Sequence, residues 1–137
     1  LVSSSAASDV YKRQPKPAIR TVRGDLEIGG KIYERRCLSC HGAEGQGNPQ
    51  IHSPSLTKLE GWYFLEQMRK FRSGDRGYDR RDHPGRIMAA ASKEFSDTDL
   101  RNLVAYCIDA FGLEEAKGAN GRLPGNSSKP VLHQAPN

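Results

Sequence analysis

The clearest regularity in the chain is an apolar stripe towards its C-terminal third, where Leu100, Leu103, Val104, Cys107, Ile108 and Phe111 recur at i, i+3 and i+4. That spacing puts all six on one face of a helix over about 97–111. Ser96 with Asp99 forms a capping-box variant just ahead of it, so the start is marked as well. A second stripe of Phe64, Leu65, Met68 and Phe71 predicts a helix from Glu60 to about Arg72. A weaker one, Leu26, Ile28, Ile32 and Tyr33, follows Asp25 as N-cap and predicts a helix ending near Arg36. Between these, residues 15–23 read as a Pro- and Arg-containing linker and 41–55 as a Gly/Pro/Ser-rich loop. Residues 73–87, with Gly74, Gly77, Pro84 and Gly85, read as a charged loop. From Lys117 the chain turns to Gly, Asn, Pro and Ser, the composition of a disordered tail. No repeat and no strand-like alternation interrupts this, so the pattern predicts an all-α chain.

Composition sharpens the picture. With 137 residues and 36% hydrophobic positions, the chain is one domain with little of its own to bury. No run approaches the roughly 18 apolar residues of a membrane span. The net charge of +5 suggests a polyanion partner only until it is located. Lys12, Arg13, Lys16, Arg20 and Arg23 against Asp9 put +4 into residues 1–23, which leaves 24–137 near +1. No nucleic-acid footprint covers the domain. The leader Leu1–Gln14, LVSSSAASDVYKRQ, resembles a translated sequencing-adapter remnant and lacks the apolar core of a secretory signal. The expected organisation is a non-native or flexible leader at 1–23, a domain at 24–112 and a disordered tail at 113–137. Any true signal peptide, anchor or upstream domain is expected to have been lost ahead of the leader.

Three cysteines do not pair off, so a disulfide framework is a poor account of them. Cys37-Leu38-Ser39-Cys40-His41 explains two: C-x-x-C-H is the attachment signature of c-type haem. Thiols three positions apart sit about one helical turn apart, so both can form thioethers to the vinyl groups of one porphyrin. The adjacent imidazole then lies beneath the iron as proximal ligand. A zinc site would need two more ligands from His52, His83, His133 and Cys107, which show no paired spacing, and Cys107 falls on the buried stripe. A redox dithiol would need a βαβ context that the pattern lacks. For the far side of the iron there are two methionines. Met68 lies on an apolar helix face and reads as core. Met88 sits in Gly85-Arg86-Ile87-Met88-Ala89-Ala90-Ala91, a loop whose small residues would let the backbone approach a flat macrocycle. Met88 is the expected distal ligand, and a thioether there raises the reduction potential.

With these residues on the page, 24–112 resembles a class I cytochrome c, of the small bacterial kind also found in di-haem cytochromes and fused to oxidase subunits. Gly29 and Tyr33 stand eight and four positions before Cys37, as in that family, and His41, Gly42 and Gly45 match its His-Gly-x-x-Gly. Pro54-Ser55-Leu56 resembles the segment whose proline carbonyl accepts the proximal imidazole's N–H. Trp62-Tyr63-Phe64-Leu65 through Phe71-Arg72-Ser73-Gly74 resembles the middle helix and its exit. The spacing from Met88 to Phe95-Ser96-Asp97 resembles the distal stretch, with Ala91 where many relatives carry a second Met. Leu103 and Tyr106 look like the pair by which the last helix crosses the first, near Gly29.

The resemblance implies an all-α class I fold of three to four helices around one haem c, attached through Cys37 and Cys40. It implies cofactor contacts from Cys37, Cys40, His41, Met88 and Pro54, with His41 and Met88 on the iron and no catalytic residue. The implied function is a mono-haem electron carrier, monomeric, working in the periplasm or another extracytoplasmic site between protein redox partners. The Arg69–Arg86 segment, at net +4, is the candidate docking surface for an acidic partner. Two alternatives stay open: a haem domain cut from a larger oxidoreductase (an oxidase subunit or di-haem cytochrome), and a ligand-binding sensor or enzyme in which Met88 yields its place. If haem completes so thin an interior, the chain without it is expected to be largely unstructured.

Overall fold

Asp25 holds extended backbone and its carboxylate accepts the Ile28 N–H, which starts α1 at Leu26 and carries it to Arg36. In the computed structural model, which describes residues 22–114 and Lys117, four more helical segments follow. They are the single turn α2, Leu38–His41; α3, Gly61–Ser73; α4, His83–Ser92; and α5, Asp97–Phe111. A short 3-10 turn, Pro49–Ile51, lies between α2 and α3. The α5 start is a full reciprocal capping box: Asp99 N–H donates to Ser96 Oγ, and Ser96 N–H donates back to the Asp99 carboxylate. Among the described residues there is no strand, only the isolated bridge Asn48↔Ser53, and the fold is all-α. Residues 1–21, 115–116 and 118–137, which take in the expected leader at 1–14 and most of the expected tail, lie outside the described residues.

The structure differs from the sequence pattern around Met88. The charged loop is shorter than expected, and Met88 sits on a helix, not in a loop. The Asp82 carboxylate accepts the Gly85 N–H at 2.9 Å, and Pro84 falls in the first turn, where a missing N–H costs nothing. Ala89, Ala90 and Ala91 then favour helix strongly. Pro84 and Gly85, which read as loop punctuation, are a helix start.

The core is built on the crossing of α1 and α5. At Gly29 the two backbones approach so closely that a Cβ would stand 2.0 Å from the Asn102 carbonyl oxygen. The Asn102 side chain reinforces this, its Oδ1 accepting the Asp25 N–H at 2.8 Å. Leu100 and Val104 are fully buried, and Tyr33 packs between Tyr106 and Phe111 with ring centroids 5.7 and 5.3 Å away. Met68 and Cys107 are both buried in this core. The α3 helix lies on α5, and α4 packs chiefly on α3. The segment joining α4 to α5 is tied down by arginines. Arg69 makes a bidentate pair with Asp97 at 2.8 Å, Arg101 also reaches Asp97, and Arg72 donates to the Phe95 carbonyl at 3.2 Å. Arg69, then Arg101, hold the Asp97 carboxyl well below the usual carboxylate range. Across the molecule, Arg36 pairs with Glu94.

Candidate functional site

The end of α1 delivers the chain directly into the C-x-x-C-H turn. Cys37 N–H donates to Tyr33 O at 2.9 Å, and the Cys37 carbonyl accepts from both Cys40 N–H at 3.1 Å and His41 N–H at 2.9 Å. One tight helical turn therefore carries Cys37 and Cys40 three residues apart, Cys37 half-buried and Cys40 exposed. Burial pushes the free Cys37 thiol up to about 11. Tyr33 grips the same turn from its other end, its hydroxyl donating to the Gly42 carbonyl at 2.6 Å.

His41 closes the turn with its ring only 5% exposed. Its Nδ1 lies 3.0 Å from the Pro54 carbonyl oxygen and 3.2 Å from Ser53 Oγ. A carbonyl only accepts, so the proton sits on Nδ1 and Nε2 keeps a free lone pair. Burial lowers the pKa of the ring and so favours its neutral form; the hydrogen bond to Pro54 works the other way. The loop that brings Pro54 here is closely fastened. Gly47 N–H donates to the His41 carbonyl at 2.8 Å, and Leu56 N–H to the Gly45 carbonyl at 2.7 Å. Gly47 has φ +77° and lies so near the returning strand of loop that a Cβ would stand 2.6 Å from Ser53 O. Only glycine meets both demands.

Cys37, Cys40, His41 and Pro54 are thus brought together. Met88 comes from α4, half-buried against the edge of the core, and Ser92 Oγ donates to its carbonyl at 2.7 Å. Among the described residues no hydrogen bond or ring contact joins Met88 to the C-x-x-C-H turn. Nor do the described residues gather three or more His, Cys, Asp or Glu into a metal cluster, so Cys107, His52 and His83 do not complete a zinc site with the cysteine pair. The Ser53 and Tyr33 hydroxyl contacts are not legible in the sequence: the first depends on how the loop after α2 folds back, the second on the angle at which α2 leaves α1.

A model of the family described as Cytochrome c matches residues 26–107, more than half of the chain. The chain belongs to the cytochrome c family. Its relatives agree with class I. It is 32% identical over 87 residues to cytochrome c-554(547) of Halothiobacillus neapolitanus, covering 61% of this chain and 93% of that protein. It is 30% identical over 70 residues to cytochrome c-554(548) of Halomonas halodenitrificans, covering 51% of this chain and 78% of the relative. A third match is to the thiosulfate dehydrogenase electron acceptor of Thiomonas intermedia, 33% identical over 70 residues, of which the chain spans only 29%. Members of the cytochrome c family bind haem c covalently, and Cys37, Cys40 and His41 fit the family's attachment motif. The geometry fits the group as well: two thiols on one turn, and beside them an imidazole whose tautomer leaves one nitrogen open. Among the described residues no helix is long and apolar enough to cross a membrane.

Proposed function

We propose that this cytochrome c is a single-haem electron carrier in which His41 and Met88 fill the two axial positions. Bound there, the iron supplies a one-electron ferric/ferrous couple. The chain's own residues do the rest. Cys37 and Cys40 would fix the macrocycle by thioethers, Pro54 O orients the His41 ring and leaves Nε2 free to hold the iron, and a Met88 thioether would favour the reduced state. With both positions filled, no substrate site remains, which makes this a carrier and not an enzyme. The observation that carries the reading is the 3.0 Å contact of His41 Nδ1 with the Pro54 carbonyl on a buried ring.

The test is Met88→Ala in the holoprotein. The far-red sulfur-to-iron band of the ferric state disappears, carbon monoxide binds the ferrous state readily, and the midpoint potential falls. The drop is an appreciable part of the ~0.8 V over which axial ligands set haem potentials. A variant with the band and the potential of the parent would refute Met88 as ligand.

The partners are proteins that donate and accept single electrons, and the Arg69–Arg86 segment is the surface proposed for an acidic one. Within Arg69–Arg86, Arg69 and Arg72 are committed to Asp97, Arg81 to Asp79, and Arg76 stacks over Phe71 at 4.5 Å. That leaves Lys70, Arg76, Arg80 and Arg86 exposed without a carboxylate partner, on a stretch that also exposes Tyr78 by 76% and Ile87 by 65%. An acidic partner would meet four cations that no carboxylate offsets, not seven. Its second-order reduction rate, followed by stopped flow, is expected to fall with ionic strength; a flat dependence would exclude steering.

A second reading has a specific basis. The thiosulfate dehydrogenase electron acceptor is much longer than its match to this chain, so the domain could be one module of a larger oxidoreductase. The genomic sequence upstream of Lys16 discriminates the two. Both readings place the domain in the periplasm, as a monomer in the first case. The buried Cys107 thiol suits an oxidising compartment, since no second thiol can reach it from solvent.

A further inference from the structure

The ring proton of His41 has two acceptors, not one. Besides the Pro54 carbonyl at 3.0 Å, Ser53 Oγ stands 3.2 Å from Nδ1. Because Pro54 O cannot donate, the proton belongs to the nitrogen, and the hydroxyl meets it only as a second acceptor. The hydroxyl is not hung on a loose loop. Asn48 N–H donates to Ser53 O at 2.9 Å and Ser53 N–H donates to Asn48 O at 3.0 Å, so the serine backbone is pinned in both directions. The next fastening is the Gly47 N–H on the His41 carbonyl at 2.8 Å, which ties this bridge to the histidine's own backbone.

We propose that Ser53 is a positioning residue that tunes the reduction potential, its hydroxyl oxygen sharing the His41 Nδ1 proton and so setting how strongly the ring donates through Nε2. The inference rests on His41 being the proximal ligand. An acceptor on the outer N–H of a metal-bound imidazole raises the basicity of the inner nitrogen. A more basic ligand stabilises the more highly charged ferric form. Ser53 therefore holds the potential below the value that Pro54 alone would set, and also limits rotation of the ring about its Cβ–Cγ bond.

The test uses the holoprotein with Ser53→Ala, Ser53→Val and Ser53→Thr, because valine and threonine share a shape and differ by the hydroxyl. At a fixed solution potential, Ala and Val are expected to shift the oxidised-to-reduced ratio towards reduced by roughly two- to fivefold, the effect of one neutral hydrogen bond. Thr is expected to match the parent. In the ferrous protein the His41 Nδ1 proton resonance moves upfield in Ala and Val, as a weakened hydrogen bond requires, and stays in place in Thr. Potentials that follow side-chain size, with Thr and Val alike, would overturn the proposal, as would an Ala variant in which neither potential nor resonance moves. Nitrogen-15 labelling of the histidines keeps the two levels apart. Iron-induced shifts on the His41 ring in the ferric parent establish the axial assignment independently of Ser53. Their absence would bring down that assignment and this inference together, whereas their presence with an unmoved Ala variant sinks the inference alone.

Discussion

A chain in which Cys37 and Cys40 are both replaced by alanine is expected to purify colourless and largely unfolded. The α1–α5 crossing buries Gly29, Tyr33, Leu103 and most of its other residues, but α4 rests chiefly on α3, and its Ile87 is 65% exposed. A porphyrin burying roughly 500 Å² of apolar surface would contribute about 12 kcal/mol at ~25 cal/mol per Å². That equals the whole net stability of an ordinary domain, about 5–15 kcal/mol. Without it the described helices must meet their conformational entropy from a core of some thirteen side chains. Far-UV circular dichroism with a pyridine haemochrome assay on the same sample reads the outcome. A cooperative, native-like melt from haem-free protein would show that the side-chain core suffices.

Gly29→Ala is expected to cost the holoprotein about 3 kcal/mol or more, seen as a lowered denaturant midpoint at unchanged slope. The added Cβ meets a backbone carbonyl, Asn102 O, at 2.0 Å, and a carbonyl inside a helix cannot rotate away. Sliding α5 outward would break the Asn102–Asp25 hydrogen bond and open the Tyr33–Tyr106 contact. The neighbouring Gly30→Ala is the control. Its Cβ would meet only the Tyr106 ring edge, 3.1 Å from Cε2, and alanine gains about 1 kcal/mol of helix propensity over glycine. Equal losses at the two positions would mean that the close approach at Gly29 is not what holds the crossing.

These two cases also mark how far the sequence can be read. The three longest helices are legible because each has one continuous apolar face against other protein, and period 3.6 is the direct trace of that. The α4 helix is not, since Ile87 is exposed and Met88 only half-covered by the chain, so no stripe is written into it. Its start is encoded by Asp82 and Pro84, but the same residue types open turns. The attachment motif is legible because thioether chemistry fixes residue identity and spacing together. The contacts of His41 with Ser53 and of Tyr33 with Gly42 are not. The first arises where the glycine-rich loop folds Ser53 back onto a ring twelve positions away, the second where two consecutive helical segments bring a hydroxyl to a carbonyl nine positions on, and no local pattern records either.

The two sides of this domain are held with unequal firmness. The turn bearing His41 is laced into α1 and its returning loop, while the helix bearing Met88 packs chiefly on one neighbour and is fastened mainly through the arginine-held segment that follows it. With Met88 as the proposed distal ligand, release of its sulfur would demand only a local movement of that helix, cheaper than global melting.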